Sequence, residues 1–229
     1  MNRATGNPWR LPVPDVTIIN GRGYVNMKVV EIRSSREPQL FINFADTWNL
    51  DKFPSVWAIG DAALLKGDLF ALFCSRKCPG KIIRKSHELA EDLRAKGIPV
   101  ICGFQTPVEK MCLDVLLKGE QAVVMCPARG VQGMRLPPEW AKGVEEGRML
   151  IVSPFDAKQR RPTKSVAELR NRFVAAAADK IFFIHASPNS RTISFARELL
   201  QEGRDAITFD LEENQNLTEA GAGKWSGRW

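Results

Sequence analysis

The segment from Lys180 to Asp210 constrains the fold more than any other part of the chain. It combines an apolar run at 180–186, a turn-rich loop at 187–192, a helical pattern at 193–203 and a second apolar run at 205–210. Short apolar runs are typical of strands buried on both faces, so this order predicts a βαβ unit. The loop of such a unit meets a helix N-terminus, where free backbone N–H groups suit a phosphate. A plain connecting loop is the alternative interpretation.

Strands and helices alternate in the same way from Phe53 onward. Two capping boxes, Thr106-Pro-Val-Glu109 and Ser165-Val-Ala-Glu168, predict where two of the helices begin. Further strands are predicted at 55–59, 69–73, 99–102, 122–126 and 149–152. This alternation predicts an α/β fold with a doubly wound, mostly parallel Rossmann-like sheet.

The sequence pattern divides the chain into three parts. Residues 1–50 hold short β-type runs around a Gly turn and are predicted to form a small β-rich N-terminal extension. Residues 51–211 are predicted to form the Rossmann-like domain. The polar, then Gly-rich residues 212–229 are predicted to be a flexible C-terminal tail.

Cysteine usage and hydropathy indicate a cytoplasmic protein. Cys74 and Cys78 are the one close pair among five cysteines, and His87 and His185 are the only histidines. This disfavours a zinc site and predicts reduced thiols with no metal or cofactor. No run of about 18 apolar residues exists, so no membrane span is predicted. Residues 1–15 lack the apolar core of a signal peptide, which argues against secretion.

The formal net charge of +7 favours a polyanionic partner. Basic residues form two clusters, one within 76–85 and one within 158–172. The loops that follow the predicted strands span 74–80, 103–106, 126–136, 153–164 and 186–192. Because the carboxyl ends of parallel strands meet at one edge of a sheet, we expect these loops to line one crevice that both clusters face. A solvated basic surface is the alternative for either cluster alone.

Arg170 falls on the apolar stripe of the helix predicted at 165–178, whereas Asn171 and Arg172 fall outside it. A charge that points toward the sheet needs a partner. A bound anion and an internal Asp or Glu fit the sequence equally well.

Catalytic motifs are absent from the sequence of these loops. The chain has no Gly-x-Gly-x-x-Gly after the first core strand, no Walker A motif and no Gly-x-Ser-x-Gly elbow. His185 lies near Ser187 and Ser190, but no third group completes a nucleophilic triad, which favours a structural histidine. No catalytic residue is therefore predicted.

Four segments resemble the core of the DNA-processing protein DprA (Smf) family and occur in the family's order. They are Phe53–Asp61 with Leu64-Leu65, Ser75-Arg76-Lys77, Leu169–Asp179, and Ser190 through Ala196-Arg197 to Gly203-Arg204. The chain departs from the family at Cys74 and Arg191, where the family has Gly. It also departs at 103–112, where the family has a Gly-rich run with Asp and His. The family's N-terminal helical domain and C-terminal winged helix are not expected here.

The resemblance implies a non-enzymatic protein that binds single-stranded DNA without sequence preference. It also implies a homodimer that protects DNA or delivers it to a RecA-type recombinase. The loops and the resemblance together predict these DNA- or phosphate-binding residues: Ser75, Arg76, Lys77, Lys81, Gly103, Gln105, Arg129, Arg161, Lys164, Arg170, Asn171, Arg172, Ser190, Arg191 and Thr192.

Two other functions fit the same sequence. The first is a sensor or hydrolase for a nucleotide or nucleotide-derived ligand, since the wider superfamily includes enzymes similar to the cytokinin-activating phosphoribohydrolases. Residues 187–192 lack the Pro-Gly-Gly-x-Gly-Thr signature and the catalytic Glu of those enzymes. The second is a structural partner protein that binds no nucleotide.

Overall fold

The computed structural model describes residues 15–20, 23–33, 35–37, 39–40, 53–225 and 227. Its strands are β1 Asp15–Asn20, β2 Gly23–Arg33, β3 Ser55–Ile59, β4 Phe70–Cys74, β5 Val100–Cys102, β6 Val123–Met125, β7 Met149–Ser153, β8 Lys180–His185, β9 Ala206–Phe209 and β10 Gly223–Trp225. Its α-helices are α1 Gly80–Ala95, α2 Pro107–Leu116, α3 Pro138–Glu145, α4 Lys164–Ala176, α5 Arg191–Gln201 and α6 Gln215–Glu219. Two 3₁₀ helices, Ala62–Lys66 and Glu212–Asn214, complete the described elements.

The strands form one sheet in the order β1-β2-β3-β7-β6-β5-β4-β8-β9-β10. The seven strands from β7 to β10 in this order run parallel, whereas β1, β2 and β3 pair antiparallel at one end. The predicted Rossmann-like α/β fold is therefore confirmed. The division of the chain at residue 50 stays a prediction, although β2 extends the same sheet through its pairing with β3.

Helices cover both faces of the sheet. Apolar residues of α1, α2 and α3 pack with Phe70, Leu72 and Phe182 on one face. Apolar residues of α4, α5 and α6 pack with Phe73 and Phe183 on the other. Alternate residues of β4 and β8 thus enter opposite cores, which is the reason that β4 and the central residues 181–184 of β8 are apolar.

The direction of winding reverses between β4 and β8. From β4 the chain adds β5, β6 and β7 on one side, and after α4 it returns to place β8 on the other side of β4. α1 leaves β4 on one face and α5 leaves β8 on the opposite face. Such a switch point opens a crevice at the carboxyl ends of the two strands, and doubly wound proteins bind ligands there.

The structure corrects one predicted helix boundary. The N-cap of α4 is Thr163, whose side chain accepts a hydrogen bond from the backbone N–H of Val166, so the capping box predicted at Ser165 is wrong. Within the predicted β-rich extension, Gln39 and Leu40 lie in a 3₁₀ turn, and 1–14 and 41–50 lie outside the described residues.

The predicted flexible tail is folded over most of its length. Residues 212–225 form a 3₁₀ turn, α6 and β10, and β10 pairs in parallel with β9. The ring of Trp225 packs against Phe182 and Phe209 at centroid distances of 5.8 Å each. This aromatic packing explains why a short, Gly-containing segment extends the sheet. No helix in the described ranges is long and apolar enough to span a bilayer.

Candidate functional site

A cluster of serines joins the loops that follow β4 and β8. The hydroxyl of Ser75 donates to Oγ of Ser190 over 3.3 Å and accepts from the backbone N–H of Ser187 over 3.0 Å. Oγ of Ser187 donates to the carbonyl of Lys77 over 3.1 Å, and the N–H of Ser75 donates to the carbonyl of His185 over 2.8 Å. The two loops are therefore held together at the switch point, and their hydroxyl groups face one another.

Two helix N-termini meet this serine cluster. α5 is capped by Ser190, whose Oγ accepts from the backbone N–H of Ile193 over 3.3 Å. α1 follows Pro79, which provides no side-chain cap. The first N–H groups of a helix also have no intrahelical acceptor, so those of α1 remain free to donate. Uncapped N–H groups and the helix dipole together favour a bound anion at the start of α1.

The predicted cationic residues separate into two groups. Lys81 pairs with Glu213 over 3.6 Å, Arg191 pairs with Glu168 over 3.6 Å, and Arg172 pairs with Glu198. Besides the buried Arg170, five of the predicted cations have no ion-pair partner within the described ranges: Arg76, Lys77, Arg129, Arg161 and Lys164. Arg129 is half-buried and the other four are exposed. These unpaired charges remain available to an anionic ligand.

Arg170 is buried, with 5% of its surface exposed. Its Nη1 donates to the carbonyl of Cys126 over 3.0 Å, its Nη2 donates to Oε1 of Gln105 over 3.2 Å, and its Nε donates to Oδ1 of Asn171 over 2.9 Å. All three acceptors are neutral, and no carboxylate of the described residues pairs with this guanidinium. The internal acid considered from the sequence is thus absent from that part of the chain.

Gly103 and Gln105 lie in the loop that Arg170 holds. Gly103 is buried beneath the guanidinium, and Gln105 is exposed except for its contact with Nη2 of Arg170. Thr106 and Glu109 form the predicted capping box of α2, which the structure confirms. Glu109 also accepts from the backbone N–H of Cys74 over 3.0 Å, so the same carboxylate supports the loop after β4.

A cavity of about 510 Å³ lies between the loops that follow β6 and β7. Arg129 and Arg160 line it together with Gln132 and Met134. Oε1 of Gln132 is buried and accepts no hydrogen bond from any described residue. The cavity therefore combines cations, an unsatisfied acceptor and an apolar side chain.

The predicted site residues do not all lie in one place. Ser75, Ser190 and the half-buried Thr192 surround the serine cluster, whereas Arg129 lies at the cavity and Arg161 and Lys164 follow in the loop before α4. Asn171 and Arg172 contact other residues of the chain, Arg170 and Glu198 respectively. Sequence reasoning did not select Gln132 or Glu109 for this role. The capping box identified Glu109 only as a residue of the first turn of a helix. No sequence signal distinguished Gln132 from other loop residues.

His185 is buried and its Nδ1 lies 2.8 Å from Oδ1 of Asn214. Nδ2 of Asn214 donates to the carbonyl of Ile184 and to Oγ1 of Thr208. This network accounts for His185 as a structural residue that joins β8 to the segment before α6. Over the described ranges, no group of three or more His, Cys, Asp or Glu side chains is arranged to hold a metal ion.

A family model described as DNA recombination-mediator protein A matches residues 43–224. The structure of DNA processing protein A (DprA) from Streptococcus pneumoniae superposes with a TM-score of 0.71 at 16% identity, covering 87% of this chain and 71% of that one. DNA processing protein A from Helicobacter pylori, described for its single-stranded DNA binding mode, superposes with a TM-score of 0.64 at 19% identity, covering 84% of this chain and 86% of that one. No curated protein sequence matches the chain.

Proposed function

Because the chain belongs to the DNA recombination-mediator protein A family, we propose that it binds single-stranded DNA along the crevice at the carboxyl edge of its sheet. The observation that carries this proposal is the line of unpaired cations across the loops after β4, β6 and β7. Cations without protein partners give most of the affinity for a phosphate backbone. The solved Helicobacter pylori relative, which shares the fold, was described for binding the same kind of ligand.

The phosphate path begins at the switch point. One phosphate accepts hydrogen bonds from the free N–H groups at the start of α1, while Arg76 and Lys77 supply charge beside it. The next phosphates pass Arg129 and the basic loop that contains Arg161 and Lys164. These groups contact phosphate and not base edges, so the binding is independent of sequence.

The cavity beside Arg129 accommodates a base that has left the strand's stack. Met134 offers an apolar surface and the arginine guanidinium planes offer stacking surfaces. Bases of single strands are free to enter such a cavity, whereas paired bases of a duplex are not. The proposal therefore includes a preference for single-stranded over duplex DNA.

The proposal also covers the role of the protein when it is bound to single-stranded DNA. The protein acts without catalysis, as a homodimer that protects single-stranded DNA or delivers it to a RecA-type recombinase. Family membership and the binding groups of the crevice support this role. Light scattering of the protein with and without oligo-dT tests the dimer, and recombinase filament formation on DNA coated with a single-strand-binding protein tests delivery.

A second candidate function is favoured by the cavity of about 510 Å³, which has room for a free nucleotide. A protein that senses or hydrolyses a nucleotide-derived ligand would use Arg129 and Arg160 for its phosphates. Such a ligand makes few phosphate contacts, so its affinity depends weakly on salt.

One titration separates the two candidates. Oligo-dT, a matched duplex and a panel of mononucleotides are titrated at low and at moderate salt. The DNA proposal expects oligo-dT to bind more tightly than duplex and to lose about a hundredfold or more in affinity as salt rises. Equal binding of duplex and oligo-dT, or tight salt-insensitive binding of one mononucleotide, would contradict it.

A further inference from the structure

Two thiols flank the loop that holds Ser75, Arg76 and Lys77. Both Cys74 and Cys78 are free, and Sγ of Cys74 donates a hydrogen bond to Sγ of Cys78 over 4.0 Å. Cys74 is buried at the end of β4, whereas Cys78 is half-buried just before α1. The pair therefore has one thiol that reagents reach and one that lies behind it.

The environments of the two thiols give them different chemistry. The hydrogen bond from Cys74 lowers the pKa of Cys78, and the N-terminus of α1 next to it favours a thiolate as well. The same hydrogen bond, together with burial, raises the pKa of Cys74, so that this thiol keeps its proton. A thiolate with a protonated thiol beside it is the arrangement of an attacking and a resolving cysteine.

The other three cysteines provide an internal comparison. Cys102, Cys112 and Cys126 are all buried, and burial raises the pKa of Cys112 and of Cys126 to about 12. Buried thiols that keep their protons react slowly with oxidants and alkylating reagents. Selective chemistry is therefore expected at the Cys74–Cys78 pair.

We propose that Cys78 and Cys74 are an oxidation site for hydroperoxides, at which the two sulfurs join in a disulfide across the Ser75–Lys77 loop. The Cys78 thiolate attacks one oxygen of hydrogen peroxide, the O–O bond breaks, and the departing hydroxide takes up a proton to become water. The sulfur of Cys74 then attacks the sulfur of the resulting Cys78 sulfenic acid and gives its proton to the hydroxyl group there. The S–O bond breaks, the S–S bond forms, and a second water leaves. Two sulfurs are oxidised and one peroxide is reduced, and a dithiol reductant reverses the reaction.

Closure of this disulfide changes the loop. An S–S bond is about 2 Å long, so the sulfurs must approach by about 2 Å and the enclosed residues must move with them. The carbonyl of Lys77 and the hydroxyl of Ser75, which both take part in the serine cluster, belong to this loop. Oxidation is therefore expected to lower the affinity for single-stranded DNA, a consequence that rests on the proposed function.

The test treats the folded, full-length protein with a small excess of hydrogen peroxide, alkylates the remaining thiols and identifies linked peptides by mass spectrometry. The proposal expects a Cys74–Cys78 disulfide, with Cys102, Cys112 and Cys126 still reduced. Cys112→Ala is the matched control and retains the disulfide, whereas Cys78→Ser abolishes it. Cys78 oxidised to sulfinic acid beside a free Cys74, or a disulfide to another cysteine, would overturn the proposal.

A parallel titration with oligo-dT tests the consequence. Oxidised protein is expected to bind roughly tenfold more weakly than reduced protein, with full recovery after dithiothreitol and no effect of peroxide on Cys78→Ser. An affinity that does not respond to oxidation would overturn the link between this site and DNA. If the reduced protein does not bind oligo-dT at all, the proposed function fails, and the mass spectra still decide whether the disulfide forms.

Discussion

The guanidinium of Arg170 lies directly against Gly103, so closely that a Cβ on this glycine would stand 1.3 Å from Nη1 and 2.1 Å from Cζ. Gly103 follows β5 at the crevice, and Arg170 lies on α4. The absence of a side chain at 103 leaves the space in which the guanidinium reaches the carbonyl of Cys126. Gly103 and Arg170 therefore set the shape of the crevice together.

Gly103→Ala is expected to displace Arg170 and to destabilise the protein by about 3 kcal/mol, because a buried carbonyl and a buried guanidinium lose their hydrogen bonds. Urea denaturation measures the change. Gly80→Ala is the matched control, since a Cβ there meets nothing within 4 Å and its stability should change by less than about 0.5 kcal/mol. A Gly103→Ala protein as stable as the control would show that Arg170 is not tightly held.

Arg170→Lys is expected to lower the melting temperature of the ligand-free protein and to cost about 2 kcal/mol. A single ammonium group cannot reproduce a planar fork that reaches Cys126, Gln105 and Asn171 at once. Arg172→Lys, which keeps a half-buried pair with Glu198, is the control and should change less than Arg170→Lys. An unchanged melting temperature with lost oligo-dT affinity would instead make Arg170 a direct phosphate ligand.

Replacing both Arg76 and Lys77 with Ala is expected to weaken oligo-dT binding and to reduce the salt slope by about two, because two unpaired cations are removed. The reduction should be the same for strands of different base composition. Lys66 and Lys118, which are exposed beyond the amino ends of the strands, provide the matched double-Ala control. A weaker affinity with an unchanged slope would indicate that the loop, and not its charge, was lost.

Asn214→Ala is expected to destabilise the protein by about 3 kcal/mol, because it removes three buried hydrogen bonds that Asn214 makes with His185, Thr208 and the carbonyl of Ile184. Chemical denaturation followed by intrinsic fluorescence measures the loss. The exposed neighbour Gln215 provides the control, Gln215→Ala, whose stability should be nearly unchanged. If the two variants are equally stable, the His185–Asn214 network does not hold β8.

Cys74→Ala is expected to move the pH dependence of Cys78 alkylation to higher pH. The sign follows from the hydrogen bond, which lowers the pKa of Cys78 and is lost in the variant. Less thiolate is then present at neutral pH, so iodoacetamide reacts more slowly there. Cys126→Ala leaves the pair intact and should reproduce the wild-type profile, whereas the same shift in both variants would contradict this assignment.

Local patterns were sufficient for the architecture. Apolar runs alternating with helical patterns predicted the parallel sheet, because strands buried on both faces leave a signal in a few consecutive residues. The capping box at Thr106 and Glu109 was read correctly, since all its contacts lie within one helical turn. The convergence of the loops at one edge followed from strand direction alone.

The details of the site depended on contacts between residues far apart in the chain. Ser75 meets Ser190 across 115 positions, and Arg170 meets Gln105 across 65. Whether Arg76 is unpaired and Arg172 is paired was likewise invisible in a sequence where both lie in basic clusters. These outcomes depend on how α4 and α5 pack on the sheet, and a helix stripe shows which side chains turn inward but not the partner each one meets. The folding of 212–225 has the same cause, because the ring of Trp225 packs only when β9 and Phe182 provide the surface that it covers.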